Sequence, residues 1–330
     1  MESPFPKSSS SPGEGRIIVD LLPNHISTLE HISYQYPLKL ISPSPRVDRA
    51  SVLVFLLSYG GGLIGGDQVN VSVEVRSGAK LSIVTQGHTK IFQSVSPDVV
   101  TRQKLQVDLK KGAALCLLPD PVQPFENSVY EQIQIFNVAF GASLCLLDWV
   151  THGRSARGEN WSLTRWVGRN EIWASEAPEP PKSRLLVRDA IVLDGEARSI
   201  QLQTLQESMY KHAVMGTLIL RGPMMRKVGE FFLSEFAALP RLGARDFRSA
   251  ETREKEAATP QLPIETWRAT RLAQEKESSL LWSAASVRGC VVVKFGAATV
   301  EAGRNWIGSM LLQEGSIERE FGEEALMCVR

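Results

Sequence analysis

No CxxC pair, no HxH, HExxH or HxxxH spacing and no Gly-x-Ser-x-Gly elbow occurs in this 330-residue chain. Those absences remove the local signatures of a clustered zinc site, a helical metalloprotease and an α/β-hydrolase nucleophile. Cysteine is scarce: Cys116, Cys145, Cys290 and Cys328 lie far apart. Two of them fall inside apolar runs, which reads as buried free thiols in a reducing compartment. Charge of one sign is not in excess either. Thirty-seven basic against 36 acidic residues leave a formal net charge of +1, so no electrostatic field calls for nucleic acid or a membrane surface. No apolar run reaches the length that spans a bilayer. Residues 1–15, MESPFPKSSSSPGEG, lack the apolar core of a signal peptide and the arginines of a transit peptide. They read as a disordered tail. The rest, 16–330, is expected to be a single β-rich, soluble, cytoplasmic domain.

What the chain does have is period two. VNVSVEV (Val69–Val75) alternates apolar and polar, as a half-buried strand must. AKLSIVTQ, LQVDL, ALCLL, IQIFNVAF and SLCLLDWV continue the pattern to Val150. A unit of strand, Gly-Ala turn and apolar strand recurs at Gly78-Ala79, Gly112-Ala113 and Gly141-Ala142, about every thirty residues. Such a period predicts stacked supersecondary units, each burying its face on the next. Further strands are expected through GTLILRG, and VRGCVVVKF reads as one more. Helical spacing stands out in two places. KVGEFFLSEFAAL carries Val228, Phe231, Phe232 and Phe236 on one face; Thr299 caps a second helix with Trp306, Ile307 and Met310 on its stripe. Residues about 241–263 are charged and polar and read as an insert.

The stretch SYGGGLIGGD holds Gly60, Gly61, Gly62, Gly65 and Gly66, followed by Asp67. It matches the spacing of a dinucleotide fingerprint, but that fingerprint must open a helix. Here Asp67–Val75 alternates as a strand, so no helix N-terminus is available for a phosphate. The glycines are expected to shape a tight bend between strands, with Asp67 accepting hydrogen bonds from loop amides.

Four phrases occur in order: Gly60–Asp67; Thr85-Gln86 with Thr89-Lys90; Leu118-Pro119 with Phe125; and Gly153-Arg154 with Gly158-Glu159. Together they resemble the urease accessory protein D family, also called UreD or UreH, clearly over residues 50–165 and weakly to Leu220. Phe92 stands where the family often has Tyr, and Asp120-Pro121 replaces a commoner Gln/Glu pair. The insert and the tail after Ser316 match no part of that pattern.

The resemblance implies a mainly β fold: a β-helical stack of two sheets with a few helices in the C-terminal part. It implies a nickel-delivery scaffold rather than a catalyst. Its partners would be apo-urease, a helical F-type accessory protein and, through that protein, a G-type GTPase. Nickel would be transient cargo crossing an internal water-filled passage, with no tightly bound cofactor and no tight metal site. Weak oxygen ligands suit transit better than clustered imidazole or thiolate. By motif position Asp67, Asp148 and Glu159 are the passage candidates, with Lys90 and Arg154 neutralising them or positioning loops. The faces carrying Phe231, Phe232, Phe236, Trp306, Ile307 and Met310 are the expected partner-binding surfaces. Two other readings compete: a β-helical glycan hydrolase with paired carboxylates, and a purely structural interaction module.

Overall fold

Alternation in QVNVSVEV sends four valines, 69, 71, 73 and 75, to one side, and all four are buried. Each such valine contributes about 1.5–3 kcal/mol relative to exposure. The structure, a computed structural model, describes residues 11–43, 50–176, 182–195, 204–239 and 262–330. The expected insert at 241–263 lies outside the described residues up to position 261. The strands begin with β1 (Glu14–Leu21), β2 (Ser27–Tyr34), β3 (Leu38–Ile41), β4 (Val52–Ser58), β5 (Gly62–Leu63) and β6 (Gln68–Val75). Then come β7 (Lys80–Val84), β8 (Thr89–Ile91), β9 (Thr101–Leu109), β10 (Ala114–Leu117), β11 (Val122–Pro124) and β12 (Val129–Ala139). The last are β13 (Ser143–Thr151), β14 (Arg165–Glu176), β15 (Lys182–Asp194), β16 (Val214–Arg221), β17 (Leu281–Val287) and β18 (Cys290–Ala297). Helices are α1 (Leu205–Ser208), α2 (Arg226–Ala237), α3 (Pro263–Glu277), α4 (Val300–Glu314) and α5 (Ser316–Phe321).

The first sheet runs β15-β14-β12-β9-β6-β1-β2; the second runs β17-β18-β16-β13-β10-β7-β4-β3. Both are parallel in the middle and antiparallel at their ends. Short β5, β8 and β11 pair in parallel along a third side. Each coil therefore gives one strand to each sheet and climbs by one strand spacing, which is the β-helical stack. The Gly-Ala repeat marks its corners. Gly78, Gly112 and Gly141 take φ of 75°, 69° and 74°, a left-handed bend that glycine adopts without a Cβ penalty. The alanine after each is buried, and Ala114 N donates to Ala79 O at 2.9 Å as Ser143 N does to Ala113 O at 2.8 Å.

Two apolar layers hold the stack. The faces between the sheets bury Leu81, Leu115 and Leu144 against Val73, Val107 and Phe136. The far face of the second sheet presents Cys145, Leu147 and Trp149 to α2, α4 and α5. No helix among the described residues is long and apolar enough to cross a membrane.

Several boundaries differ from expectation. The tail expected over 1–15 ends earlier: Glu14 and Gly15 already belong to β1, and Asn70 N donates to Gly13 O at 2.9 Å. A third long helix, α3, starts at Pro263, the last residue assigned to the insert. Proline suits the first helical position because it lacks an N–H that would go unpaired there, and Glu265 accepts from Leu262 N at 2.8 Å. The chain after Ser316 folds inward, burying Ile317, Phe321 and Leu326.

Candidate functional site: a polar layer between the sheets

The glycine-rich stretch leads from β4 through a single 3-10 turn (Tyr59–Gly61) and β5 to β6, so a strand and not an α-helix follows Asp67. Asp67 closes it: its Oδ2 accepts from Ile64 N at 2.9 Å, and its own N donates to Ile64 O at 3.0 Å. Gly60, Gly61 and Gly66 have φ of 70°, 75° and 92°. Gly62 is required for space: a Cβ there would lie 2.7 Å from Lys90 O and 2.6 Å from the Phe92 ring, and Gly65 packs on Ser94. Lys90 supplies that backbone oxygen while its side chain is exposed. Gly62→Ala is therefore expected to lose about 1–3 kcal/mol by overpacking the β5–β8 ladder, read as a lower urea midpoint.

Glu159 lies in the loop after β13, buried under Gly153. Its Oε2 accepts from Arg154 N at 2.9 Å, and its Oε1 pairs with the Arg154 guanidinium, whose Nε is 2.7 Å away. Burial pushes the Glu159 carboxyl up, but Arg154 outweighs it, and the carboxyl titrates below its ordinary range. Arg154 also stacks 4.0 Å from the Phe125 ring centroid, and Phe125 meets Phe92 edge-on at 5.2 Å. This joins three of the four motif segments into one corner. Asp67 and Glu159 thus have structural partners of their own.

Asp148 is different. It shares the inward face of β13 with Leu146 and Val150, where apolar residues are the rule, and is 8% exposed. Its hydrogen bonds come from neutral amides on the opposite sheet: Gln132 Nε2 at 2.8 Å and Asn170 Nδ2 at 2.7 Å. Tyr130 donates to Gln132 Oε1 at 3.2 Å. Burial pushes the Asp148 carboxyl up; the two amides pull it back, Asp189 adds to the rise and Lys294 opposes it. Burial, and then the charge of Asp148, also push the Tyr130 phenol up. Beside Asp148 on β16 is Thr217, and beside Thr217 on β18 is Lys294. Across the gap, Asn170 on β14 pairs with Asp189 on β15. Lys294 Nζ spans the space, 2.5 Å from Asp189 Oδ1 and 3.5 Å from Thr217 Oγ1. With buried Gln134, the C-terminal half of the inter-sheet space carries a polar layer. Sequence reasoning found only Asp148 of this group.

The expected partner-binding faces are corrected. Phe232, Trp306, Ile307 and Met310 are buried in the chain's own second core, and Phe231 and Phe236 pack against it half-buried. The second sheet is apolar on both faces, so its far face takes these helices for itself.

Among the described residues no group of three or more His, Cys, Asp and Glu side chains gathers as a metal site. The cysteines are buried, and burial raises the thiols of Cys116 and Cys290 and pushes Cys328 up to about 11. Protonated thiols are poor metal ligands. Asp120, from the departing motif pair, is tied to Thr85 Oγ1 at 3.0 Å, Gly87 N at 2.8 Å and Arg304 Nη2 at 2.7 Å. His88 and Cys328 line the cleft beside it.

Comparison with known proteins agrees with the motif segments. The sequence model of the family described as UreD urease accessory protein matches residues 13–327. An uncharacterised urease accessory protein, ureD-like, of Schizosaccharomyces pombe is 32% identical over 295 residues, covering 89% of this chain and 91% of its own length. Urease accessory protein UreD of Sorangium cellulosum is 35% identical over 208 residues, 63% of this chain and 61% of that protein. Urease accessory protein D of Arabidopsis thaliana is 29% identical over 216 residues, 65% and 69% of the two chains.

Proposed function

This chain belongs to the UreD urease accessory protein family, and from that premise we propose that it is a non-catalytic assembly factor for urease. It docks apo-urease and an F-type accessory protein, and through the latter a G-type GTPase. Ni²⁺ crosses it as cargo, by way of the polar layer around Asp148. The observation that carries this reading is a buried carboxylate whose hydrogen bonds come from neutral amides, in a polar layer between two sheets whose facing surfaces are apolar elsewhere.

A dication entering an apolar gap would meet a prohibitive loss of hydration. A fixed carboxylate and amide oxygens lower that cost. Oxygen donors also hold Ni²⁺ less tightly than imidazole or thiolate, so an ion admitted here is free to leave. The three candidate carboxylates bond to three separate sets of partners, and the paired groove that a glycan hydrolase needs finds no support in them.

Asp148→Asn tests the passage. The amide keeps the shape and removes the charge. Because burial raises the Asp148 pKa, the folded chain holds this proton to higher pH than the unfolded chain does. The group therefore favours folding most at acid pH, and that contribution declines as pH rises past the ordinary carboxylate value. The variant lacks this decline and is expected to fold at neutral pH, checked by its urea midpoint. Urease purified from cells that co-express the accessory proteins should then carry several-fold less nickel, while the variant still co-purifies with its partners. Full nickel loading would remove the passage and leave a docking role alone.

A further inference from the structure

Five side chains close a ring across the two sheets. Asp148 meets Asn170 at 2.7 Å; Asn170 pairs across strands with Asp189; Asp189 holds Lys294 at 2.5 Å; Lys294 reaches Thr217 at 3.5 Å; and Thr217 pairs across strands with Asp148. The ring holds two carboxylates and one ammonium. It also holds an acceptor without a donor: Asn170, 2% exposed, spends its Nδ2 on Asp148, and its Oδ1 has no hydrogen-bond partner among the described residues. A buried amide oxygen left unpaired keeps the full cost of losing its water. A cation placed in the ring would satisfy it.

Lys294 differs from the rest of the ring in exposure. Its side chain is 48% exposed, whereas the Asp189 side chain is 11% exposed. The ammonium sits on a flexible four-carbon stem at the solvent end and can swing out into water, giving up its ion pair with Asp189 as it does so. The oxygen-bearing side chains are held by the sheets.

We propose that this ring is a divalent-cation site, formed by Asp148, Asn170, Asp189 and Thr217, that the chain occupies with its own Lys294 ammonium until the ion displaces it. The proposal rests on the passage reading for its biological use, but the site itself is a property of this chain. Lys294 is a positioning and competing group. It balances the carboxylates when the ring is empty, and it raises the cost of entry so that the ion does not lodge. The ion enters as the ammonium leaves for solvent, so the net charge of the gap changes by one rather than two.

Equilibrium dialysis of the purified full chain against Ni²⁺ tests the site, with Lys294→Met, Lys294→Arg and Asp148→Asn combined with Lys294→Met. Removing a competing unit charge within ion-pair distance is expected to tighten Ni²⁺ binding by about tenfold or more. Lys294→Arg keeps the charge and should bind as the unaltered chain does. The double variant should lose the gain. Lys294→Gln serves in place of the methionine variant if that one fails to fold. Equal Ni²⁺ binding in Lys294→Met, or tightened binding that survives Asp148→Asn, would overturn the proposal. The urease nickel content of cells carrying Asp148→Asn reports on the passage separately. Normal nickel there, with the dialysis result intact, removes the passage and keeps the site. Low nickel there, with no Lys294 effect in dialysis, keeps the passage and removes the site.

Discussion

Glu235→Ala is expected to cost the folded chain about 3–5 kcal/mol, because it takes one of two carboxylates from a buried guanidinium and leaves that donor without a partner. Glu235 is 0% exposed on the inner face of α2. It accepts from Arg268 Nε at 2.9 and 3.0 Å, from Arg268 Nη2 at 2.6 Å and from Arg271 Nη2 at 3.2 Å. Arg271, 3% exposed, spends Nη1 on Glu275 Oε1 at 2.6 Å, and Trp306 Nε1 donates to that same oxygen at 2.9 Å. The network joins α2, α3 and α4. Arg268 is 41% exposed and can turn to water after the substitution; Arg271 cannot. Most of the cost therefore falls on Arg271, whose Nε already lacks a partner. Urea denaturation should show the loss for Glu235→Ala. A combined Glu235→Leu, Arg271→Met and Glu275→Gln variant, which removes the buried charges of both signs together, should recover most of it, since well-packed apolar or neutral residues often equal a buried ion network. A loss below about 1 kcal/mol would place Arg271 in water rather than in the core.

The stack and its corners were readable because they rest on short-range rules: alternation for strands, and a glycine for each left-handed bend. The Gly78, Gly112 and Gly141 column follows from a thirty-residue period alone. The polar layer breaks the same rule. In β12 the inward positions are Tyr130, Gln132, Gln134 and Phe136, while Ile133 and Ile135 sit half-buried on the outer face. Apolarity alone would turn that strand over; the flanking Tyr130, Phe136 and Val138, all an even number of residues apart, are the available sign of the true face. Thr217 and Lys294 likewise lie on inward positions, alternating with Leu218 and Val293 on a strand face that is equally apolar. Helix α3 escaped notice for a related reason. Its inward stripe runs half-buried Trp267 and then buried Arg271 and Glu275, so the two buried residues at helical spacing are charged. Pro263 and Glu265 were the legible start signals. After the glycine run the alternation of Gln68–Val75 is legible, and β6 stands there in place of a helix.

Phe232→Ala separates a core role from a docking role, and the core role predicts the larger effect. The apolar stripes of α2 and α4 are plain in the sequence, but a stripe does not name the surface that covers it. SLCLLDWV carries the answer in part: β13 is buried at all nine positions, on both faces, as a sheet strand sandwiched between layers must be. Its far face needs a cover, and Phe232 provides it. The ring is 0% exposed and lies 6.2 Å from Trp306 and 6.4 Å from Trp282, edge-on to both. Truncating a buried phenylalanine costs about 3–5 kcal/mol through lost transfer energy and the cavity left behind. The isolated chain should therefore unfold at a clearly lower urea midpoint. Phe231→Ala, at a half-buried ring that also touches Trp267, should cost less. Had Phe232 been a docking residue, its loss would leave the isolated chain's midpoint unchanged and weaken only capture of the proposed F-type partner. An unchanged midpoint would return this face to the partner and remove it from the core.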